Sequence, residues 1–356
     1  MSRAKGKAAP PAAGFASRVV AWQRIHGRHD LPWQQTRDPY RIWLSEVMLQ
    51  QTQVGTVIPY YERFLQRFPE VASLGAADID EVLALWSGLG YYSRGRNLHA
   101  AAVRIARELG GRFPTDRATL ESLPGVGRST AAAIAAFSVG AHEAILDGNV
   151  KRVLARHFAI EGFPGVSSVE KQLWALAESL LPAGDVEAYT QGVMDLGATL
   201  CTRSRPRCVD CPVANSCEAH RSGREVQFPS ARPKKVLPHK TTVMLVLVRE
   251  GRLLLTRRPP SGIWGELWSF PEFDSAHAAT EYAVRQVGRL SGETELPPVA
   301  HGFSHYRLTI QPLRCVSSGH EITVSEPGVR WMSREEALAS SLPAPVRVIA
   351  SDVELD

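Results

Sequence analysis

The sequence predicts a multidomain protein, an all-α part followed by an α+β part, and three observations carry that prediction. Before Cys217 the apolar residues recur at helical spacing, the segments are separated by Pro or Gly, and no strand pattern appears. Four of the five cysteines then crowd between 201 and 217. Beyond Lys240 the pattern changes to β-branched apolar runs joined by short turns.

In chain order, residues 1–14 are Ala/Pro/Lys-rich and read as a disordered tail. Phe15 to Ile25 has helical spacing, Leu31-Pro-Trp33 and Asp38-Pro39 mark a loop, and Tyr40 to Val54 reads as one helix. Further helices are expected over 57–68, 79–85, 97–109, 169–181 and 186–200. The helical domain is expected to span 15–220. Residues 221–240, with Arg, Lys and three prolines and little apolar content, read as a linker. In the second domain, 241–356, strands are expected at 241–248, 252–256, 307–316 and 328–332, with helices at 278–290 and 334–339.

With 356 residues, 44% hydrophobic, this is a globular chain long enough for two or three domains. The formal net charge of +5 fits a polyanionic partner without requiring one. No apolar run reaches membrane-spanning length and no signal-peptide core is present, so the chain reads as intracellular.

Leu123-Pro-Gly-Val-Gly-Arg-Ser-Thr130 is a tight turn feeding a helix start, with Ser129 or Thr130 as the expected cap and Ala131 to Ala136 propagating the helix. Free N–H groups there favour an anion, a phosphate being the natural candidate; the alternative is a helix–turn–helix with no ligand. Cys201, Cys208, Cys211 and Cys217 follow C-x6-C-x2-C-x5-C. Structural zinc sites bring their ligands in as two short pairs, whereas one tight pair flanked by wider gaps suits an iron–sulfur cubane better. Cys315 stands apart as an expected core residue.

Glu46 is a lone carboxylate in an otherwise apolar helical stretch. Exposure is the common fate of a single Glu, but apolar neighbours argue for burial, a raised pKa and a protonated acid. Asp147, in a Leu-Asp-Gly-Asn turn, could simply cap the helix that follows. Together, one protonated and one ionised carboxyl are what glycosidic bond cleavage needs.

Ser45 to Gln53, Gly88 to Asn97, Leu123 to Thr130, Ile145 to Arg156 and the four-cysteine loop together resemble the adenine DNA glycosylase (MutY) family of helix-hairpin-helix glycosylases, over nearly the whole chain. The resemblance implies a glycosylase domain with a [4Fe-4S] loop and a Nudix-like second domain, acting on double-stranded DNA with A:8-oxoguanine or A:G mispairs. It implies Glu46 as acid and Asp147 as stabiliser of the sugar cation. Gln51 and Tyr91 would support base flipping, and Gly125, Val126, Gly127, Ser129 and Arg203 would contact DNA. Cys201, Cys208, Cys211 and Cys217 would hold the cluster, and Phe303, Ser304 and His305 would read 8-oxoguanine. A monomer without membrane partners, cytoplasmic and at the nucleoid, is expected.

Endonuclease III-like relatives of that fold carry a nucleophilic lysine two residues after the second hairpin glycine, where this chain has Ser129. A Schiff-base lyase needs an amine, so a monofunctional glycosylase is expected, with Lys151 a nearby amine capable of side chemistry. Residues 260–271 are similar to the opening of a Nudix fold, but the helix after them offers only Glu281 where a hydrolase clusters carboxylates for Mg²⁺. A rival reading keeps the fold and drops catalysis, leaving a redox-active DNA-binding protein; the Glu46 and Asp147 pair speaks against it.

Overall fold

A computed structural model describes residues 14–233, 236–317 and 327–355; residues 1–13 of the expected tail and 234–235 of the expected linker lie outside them. The helices are α1 (Phe15–His26), α2 (Pro39–Leu49), α3 (Val54–Arg67), α4 (Val71–Ala76), α5 (Ile79–Trp86), α6 (Tyr92–Glu108), α7 (Arg117–Glu121), α8 (Arg128–Val139), α9 (Gly148–His157), α10 (Ser167–Ser179), α11 (Val186–Asp195) and α12 (Glu218–Arg221). The chain divides into one unit of Met1–Tyr61, Phe68–Ala72 and Ala101–Lys234, and a second of Glu62–Arg67, Ser73–Ala100 and Lys235–Asp356.

The first unit is all-α. Its core gathers Phe15 and Val19 of α1, Val150, Val153 and Leu154 of α9, and Tyr189 and Val193 of α11. Helices α1 and α11 approach closely at Gly192, where a Cβ would stand 2.8 Å from Val19 Cγ1 and 2.9 Å from Gln23 Cβ. Asp195 at the end of α11 is fully buried; its carboxylate accepts from the Arg28 backbone N–H at 2.8 Å, Arg28 Nε at 2.7 Å and Gln191 Nε2 at 2.8 Å. Past α12 the chain stays with this unit: buried Arg156 donates to the carbonyls of Glu225 and Phe228, and Phe228 is itself buried.

The second unit holds a mixed sheet of β1 (His239–Arg249), β2 (Arg252–Arg257), β3 (Trp268–Ser269), β4 (Glu272–Phe273), β5 (Leu290–Glu295), β6 (Val299–Gly302), β7 (Arg307–Ser317) and β8 (Val329–Met332). Strand order runs β3-β2-β1-β7-β5, and the central pair β1/β7 is parallel while the other pairings are antiparallel. Period-two alternation sends Leu245 and Leu247 to one face, under Ala279, Ala283 and Val287 of α13 (Ala276–Val287). Met244, Val246 and Val248 go to the other, under Ala337 of α14 (Arg334–Ala339) and Val346 and Ile349 of α15 (Ala344–Asp352). Cys315 is a core residue, as expected.

Three elements differ from expectation. The single helix expected over 40–54 ends at Leu49, because Gln50 turns extended (ψ 109°) and Gln51 takes φ 59° before α3 begins. The cap of α8 is Gly127, without a side-chain bond, rather than Ser129 or Thr130, whose hydroxyls bond elsewhere. Strands β5 and β6 escape the apolar pattern because they are largely exposed edge segments.

Asp195→Ala would take from Arg28 and Gln191 the fully buried carboxylate that they share. We expect it to destabilise the helical unit by about 2–4 kcal/mol, read by thermal or urea unfolding; an unchanged midpoint would show the pair to be energetically silent.

Candidate active site

A cleft of about 1540 Å³ opens in the helical unit, and Glu46, Asp147, Gly127 and Ser129 line it together. Glu46 comes from α2 and Asp147 from the N-terminus of α9, so two carboxyls distant in sequence share one cavity. Burial first, and the negative charge of Asp147 second, together push the Glu46 carboxyl up to about 8. No hydrogen bond from the described residues reaches that carboxyl. At neutral pH Glu46 is therefore protonated.

Asp147 is also desolvated, and burial raises its pKa, but its carboxylate is opposed by donors. Its Oδ1 accepts from the Val150 N–H at 2.7 Å and its Oδ2 from Asn149 Nδ2 at 3.2 Å. It caps α9 and lines the cleft at once, so the capping role and the site role coincide. The two donors and the start of α9 favour charge on Asp147 over Glu46.

The start of α8 ties both carboxyl-bearing segments. Ser129 Oγ accepts the Leu146 N–H at 2.9 Å, one residue before Asp147, and Thr130 Oγ1 accepts from Gln50 Nε2 at 3.4 Å. The turn before α8 is closed by the Val126 N–H on the Leu123 carbonyl, and the Val126 side chain packs inward. Gly125, at φ 76°, and Gly127 are exposed, and space around Gly127 is open. No side chain caps α8, so its first-turn N–H groups are left without a side-chain acceptor.

Two expected site residues sit in strained backbone. Gln51 at φ 59° and Tyr91 at φ 47° occupy the left-handed region without being glycine, and both are exposed. Tyr91 belongs to the second unit, where the Arg94 guanidinium lies 5.5 Å from its ring. Phe303, Ser304 and His305 form the β6–β7 hairpin loop, closed by the Phe303 N–H on the Tyr306 carbonyl at 2.9 Å, with Ser304 and His305 exposed. Around them stand aromatic side chains that sequence reasoning missed: Phe303 contacts His301 at 4.6 Å, Tyr306 at 4.6 Å and Trp264 at 5.2 Å between ring centroids.

Cys201, Cys208, Cys211 and Cys217 line one small cavity, and none is in a disulfide. Burial and the nearness of the other sulfurs push the Cys208 thiol up to about 11 and the Cys211 thiol up to about 12. Four sulfurs lining one small cavity are a donor set a cationic centre would satisfy. Cys208 also lies near His220 and Glu225, whose ligand atoms fall within 4.8 Å of one another, although His220 Nδ1 and Glu225 Oε1 already pair at 2.6 Å. Arg156, unremarked by sequence reasoning, anchors the loop through Cys201 Sγ at 3.3 Å, the Thr202 carbonyl at 2.6 Å and the Arg203 carbonyl at 2.9 Å. Arg203, Arg205 and Arg207 on the same loop are exposed.

Arg152 joins this loop to the cleft. Its guanidinium donates to Asn149 Oδ1 at 2.8 Å, to the Gly197 carbonyl at 2.7 Å and to the Cys201 carbonyl at 2.7 Å, while Asn149 bonds Asp147. Lys151 on the same helix pairs with Glu170 of α10 at 2.5 Å and does not line the cleft, nor does any other lysine among the described residues.

This helical scaffold defines a class, the helix-hairpin-helix proteins of base excision DNA repair. The model described as "HhH-GPD superfamily base excision DNA repair protein" matches residues 44–179, and a NUDIX domain model matches 242–352. The chain belongs to the adenine DNA glycosylase family, enzymes that act on N-glycosyl bonds. It is 34% identical to the adenine DNA glycosylase of Buchnera aphidicola subsp. Schizaphis graminum, over 94% of this chain and 97% of that one. It is 35% identical to the Homo sapiens adenine DNA glycosylase, over 90% of this chain and 70% of that one. Among solved structures, a thermostable thymine-DNA glycosylase aligns at 30% identity and TM-score 0.54, covering 60% of this chain and 97% of its own. A non-covalent endonuclease III–DNA complex aligns at 20% identity and TM-score 0.50, over 58% of this chain and 94% of the other, and supports the fold. No helix among the described residues is long and apolar enough to cross a membrane.

A carboxyl whose pKa rises on folding weakens the folded state once the unfolded chain ionises. Glu46→Gln should therefore be more stable than the parent, by an advantage that grows from pH about 4.5 to about 8, is flat above and vanishes below. Thermal unfolding across that range checks it; a pH-independent difference would place the Glu46 carboxyl in an ordinary environment.

Proposed function

We propose that this chain hydrolytically removes adenine mispaired with 8-oxoguanine, or with guanine, from duplex DNA, and that it has no true lyase activity. The observation that carries the reading is the pairing, in one cleft, of Glu46, which burial holds toward its protonated form, with Asp147, whose two oxygens accept hydrogen bonds that favour its charge. Extrusion of the adenine from the stack costs a few kcal/mol, less at a mispair. Gln51 and Tyr91 would support base flipping, and the exposure and strained backbone of each fit that role. Phosphates would rest on Gly125, Gly127 and the α8 start, and on Arg203 of the cysteine loop; Val126 contributes by shaping the turn.

Glu46 passes its proton to a ring nitrogen of adenine, and the N-glycosyl bond breaks with its electron pair leaving on the base. The sugar becomes an oxocarbenium-like cation that the Asp147 carboxylate stabilises. Water then adds to the sugar carbon and gives a proton to the carboxylate that Glu46 has become, restoring the acid. Ser129 occupies the position where bifunctional relatives carry a lysine, and its hydroxyl is engaged with Leu146. With no lysine lining the cleft among the described residues, no Schiff base is expected there. The loop Phe303-Ser304-His305 would read 8-oxoguanine, two hydrogen-bonding side chains for the modified edge and one aromatic to stack.

The four cysteines would hold a [4Fe-4S] cluster, whose contribution is to fix the loop that carries Arg203, since hydrolysis transfers no electrons. The protein would act as a monomer, because one chain supplies both carboxyls, and on nucleoid DNA.

Single-turnover assays on a duplex with adenine opposite 8-oxoguanine test this reading. Adenine release, with strand breaks only after hot alkali, is expected, and Glu46→Gln should lower the rate at least 100-fold. Breaks without alkali would contradict the monofunctional assignment, and Lys151→Ala would show whether that amine is their source. Metal analysis should find about four irons per chain, lost in Cys208→Ser and kept in His220→Ala; stoichiometric zinc would overturn the cluster.

A further inference from the structure

Within the second unit, one loop stands out for its backbone. Trp264 has φ 57° and Glu266 has φ 63°, two non-glycine residues in the left-handed region, with Gly265 between them. A Cβ on Gly265 would stand 2.7 Å from the Pro260 carbonyl oxygen and 2.9 Å from that of Pro259, so the chain folds back on itself where only glycine fits. Such a conformation persists only when its surroundings over-determine it, and such sites cluster where structure does work.

The surroundings are specific. Arg96, one turn into α6, donates from Nη1 to the Gly265 carbonyl at 2.8 Å. Arg257 reaches Glu266 at 2.9 Å and Asp80 of α5 at 2.9 Å, so the loop is held from two helices. Arg258 Nε bonds the Ile263 carbonyl at 3.0 Å. Nearby, the Tyr92 hydroxyl donates to the Leu342 carbonyl at 3.0 Å and Arg347 to Ser87 Oγ at 3.0 Å, fastening the same helical segment to the sheet domain. The product of this bracing is the Trp264 ring, which packs against His301 at 5.4 Å and Phe303 at 5.2 Å, behind the hairpin loop proposed to read the opposite base.

We propose that Trp264 is the rear wall of the opposite-base reader and that Arg96, by clamping the Gly265 carbonyl, is the positioning residue that sets it. The inference rests on the assignment of Phe303-Ser304-His305 to 8-oxoguanine. Arg96 touches no substrate; it acts through Gly265 on Trp264, and through Trp264 on the angle at which Phe303 meets a purine. Helix α6 opens at Tyr92, directly after Tyr91, so the helix that orients the reader also begins beside the residue proposed to support base flipping.

The test compares full-length parent, Arg96→Ala, Arg96→Lys, Trp264→Ala and Asp80→Asn in single-turnover adenine release from A:8-oxoguanine and A:G duplexes across protein concentrations. In Arg96→Ala and Trp264→Ala the preference for 8-oxoguanine should fall at least fivefold, through weaker half-saturation on the 8-oxoguanine duplex. In Arg96→Ala the saturating rate on A:G should hold, and Arg96→Lys should recover part of the preference. Asp80→Asn, which loosens the loop from its other side, should shift the preference in the same direction. Equal losses on both duplexes in all variants would make the loop merely structural and overturn the proposal. A Ser304→Ala/His305→Ala protein that loses the preference while Arg96→Ala keeps it overturns the role of Arg96 and leaves the reader assigned. One that keeps the preference removes the assignment itself, and the inference with it.

Discussion

Two carboxyls in one desolvated cleft cannot both be ionised without donors to offset the charge, and this constraint organises the helical unit. The fold resolves it asymmetrically. Asp147 sits at the N-terminus of α9, where a backbone N–H and the Asn149 amide bond its two oxygens and the helix dipole favours negative charge. Glu46 has apolar neighbours from α2 and the charge of Asp147 to contend with, and stays protonated. In the proposed function the acid and the electrostatic stabiliser would thus come from two copies of the same functional group in different surroundings.

Maintaining that asymmetry falls to residues that perform no chemistry. The first turn of α8 uses two hydroxyls as acceptors, one for the segment leading to Asp147 and one for the Gln50 side chain beyond Glu46. That use leaves the N–H groups of the same turn without a side-chain cap, so in the proposed function one helix start would serve both a phosphate and the carboxyl segments. From Asp147 the bonds continue through Asn149 and Arg152 to the Cys201 carbonyl. The cysteine loop is therefore mechanically continuous with the cleft, with Arg156 buried beneath it. A cluster that only rigidifies the loop would still affect the placement of Asp147.

Much of this was legible in the sequence, for identifiable reasons. Glu46, Asp147, the hairpin and the four cysteines lie in motifs where residue type and spacing already limit the chemistry. The main strands of the second domain follow from its β-branched apolar runs, whereas the parallel pairing of β1 with β7 does not. What was hidden depends on tertiary partners. Nothing in Gln50-Gln51-Thr52 forbids a helix, and the break at Leu49 comes with Gln50 reaching Thr130. Ser129 and Thr130 have good capping chemistry but are drawn to other partners, leaving Gly127 at the cap. Arg156 looks like one more surface arginine until the chain after Arg221 folds back over it. Trp264 reads as a generic aromatic in a glycine-rich turn, and only the strained backbone brings it to Phe303.

The central claim is that Glu46 works as an acid kept protonated by burial beside a charged Asp147. The pH dependence of the single-turnover rate of adenine release, measured at saturating protein, tests it most directly. The rate should be level near neutral pH and fall tenfold per unit above pH about 8, as the Glu46 proton is lost. A rate that stays level or rises through that range would contradict the account.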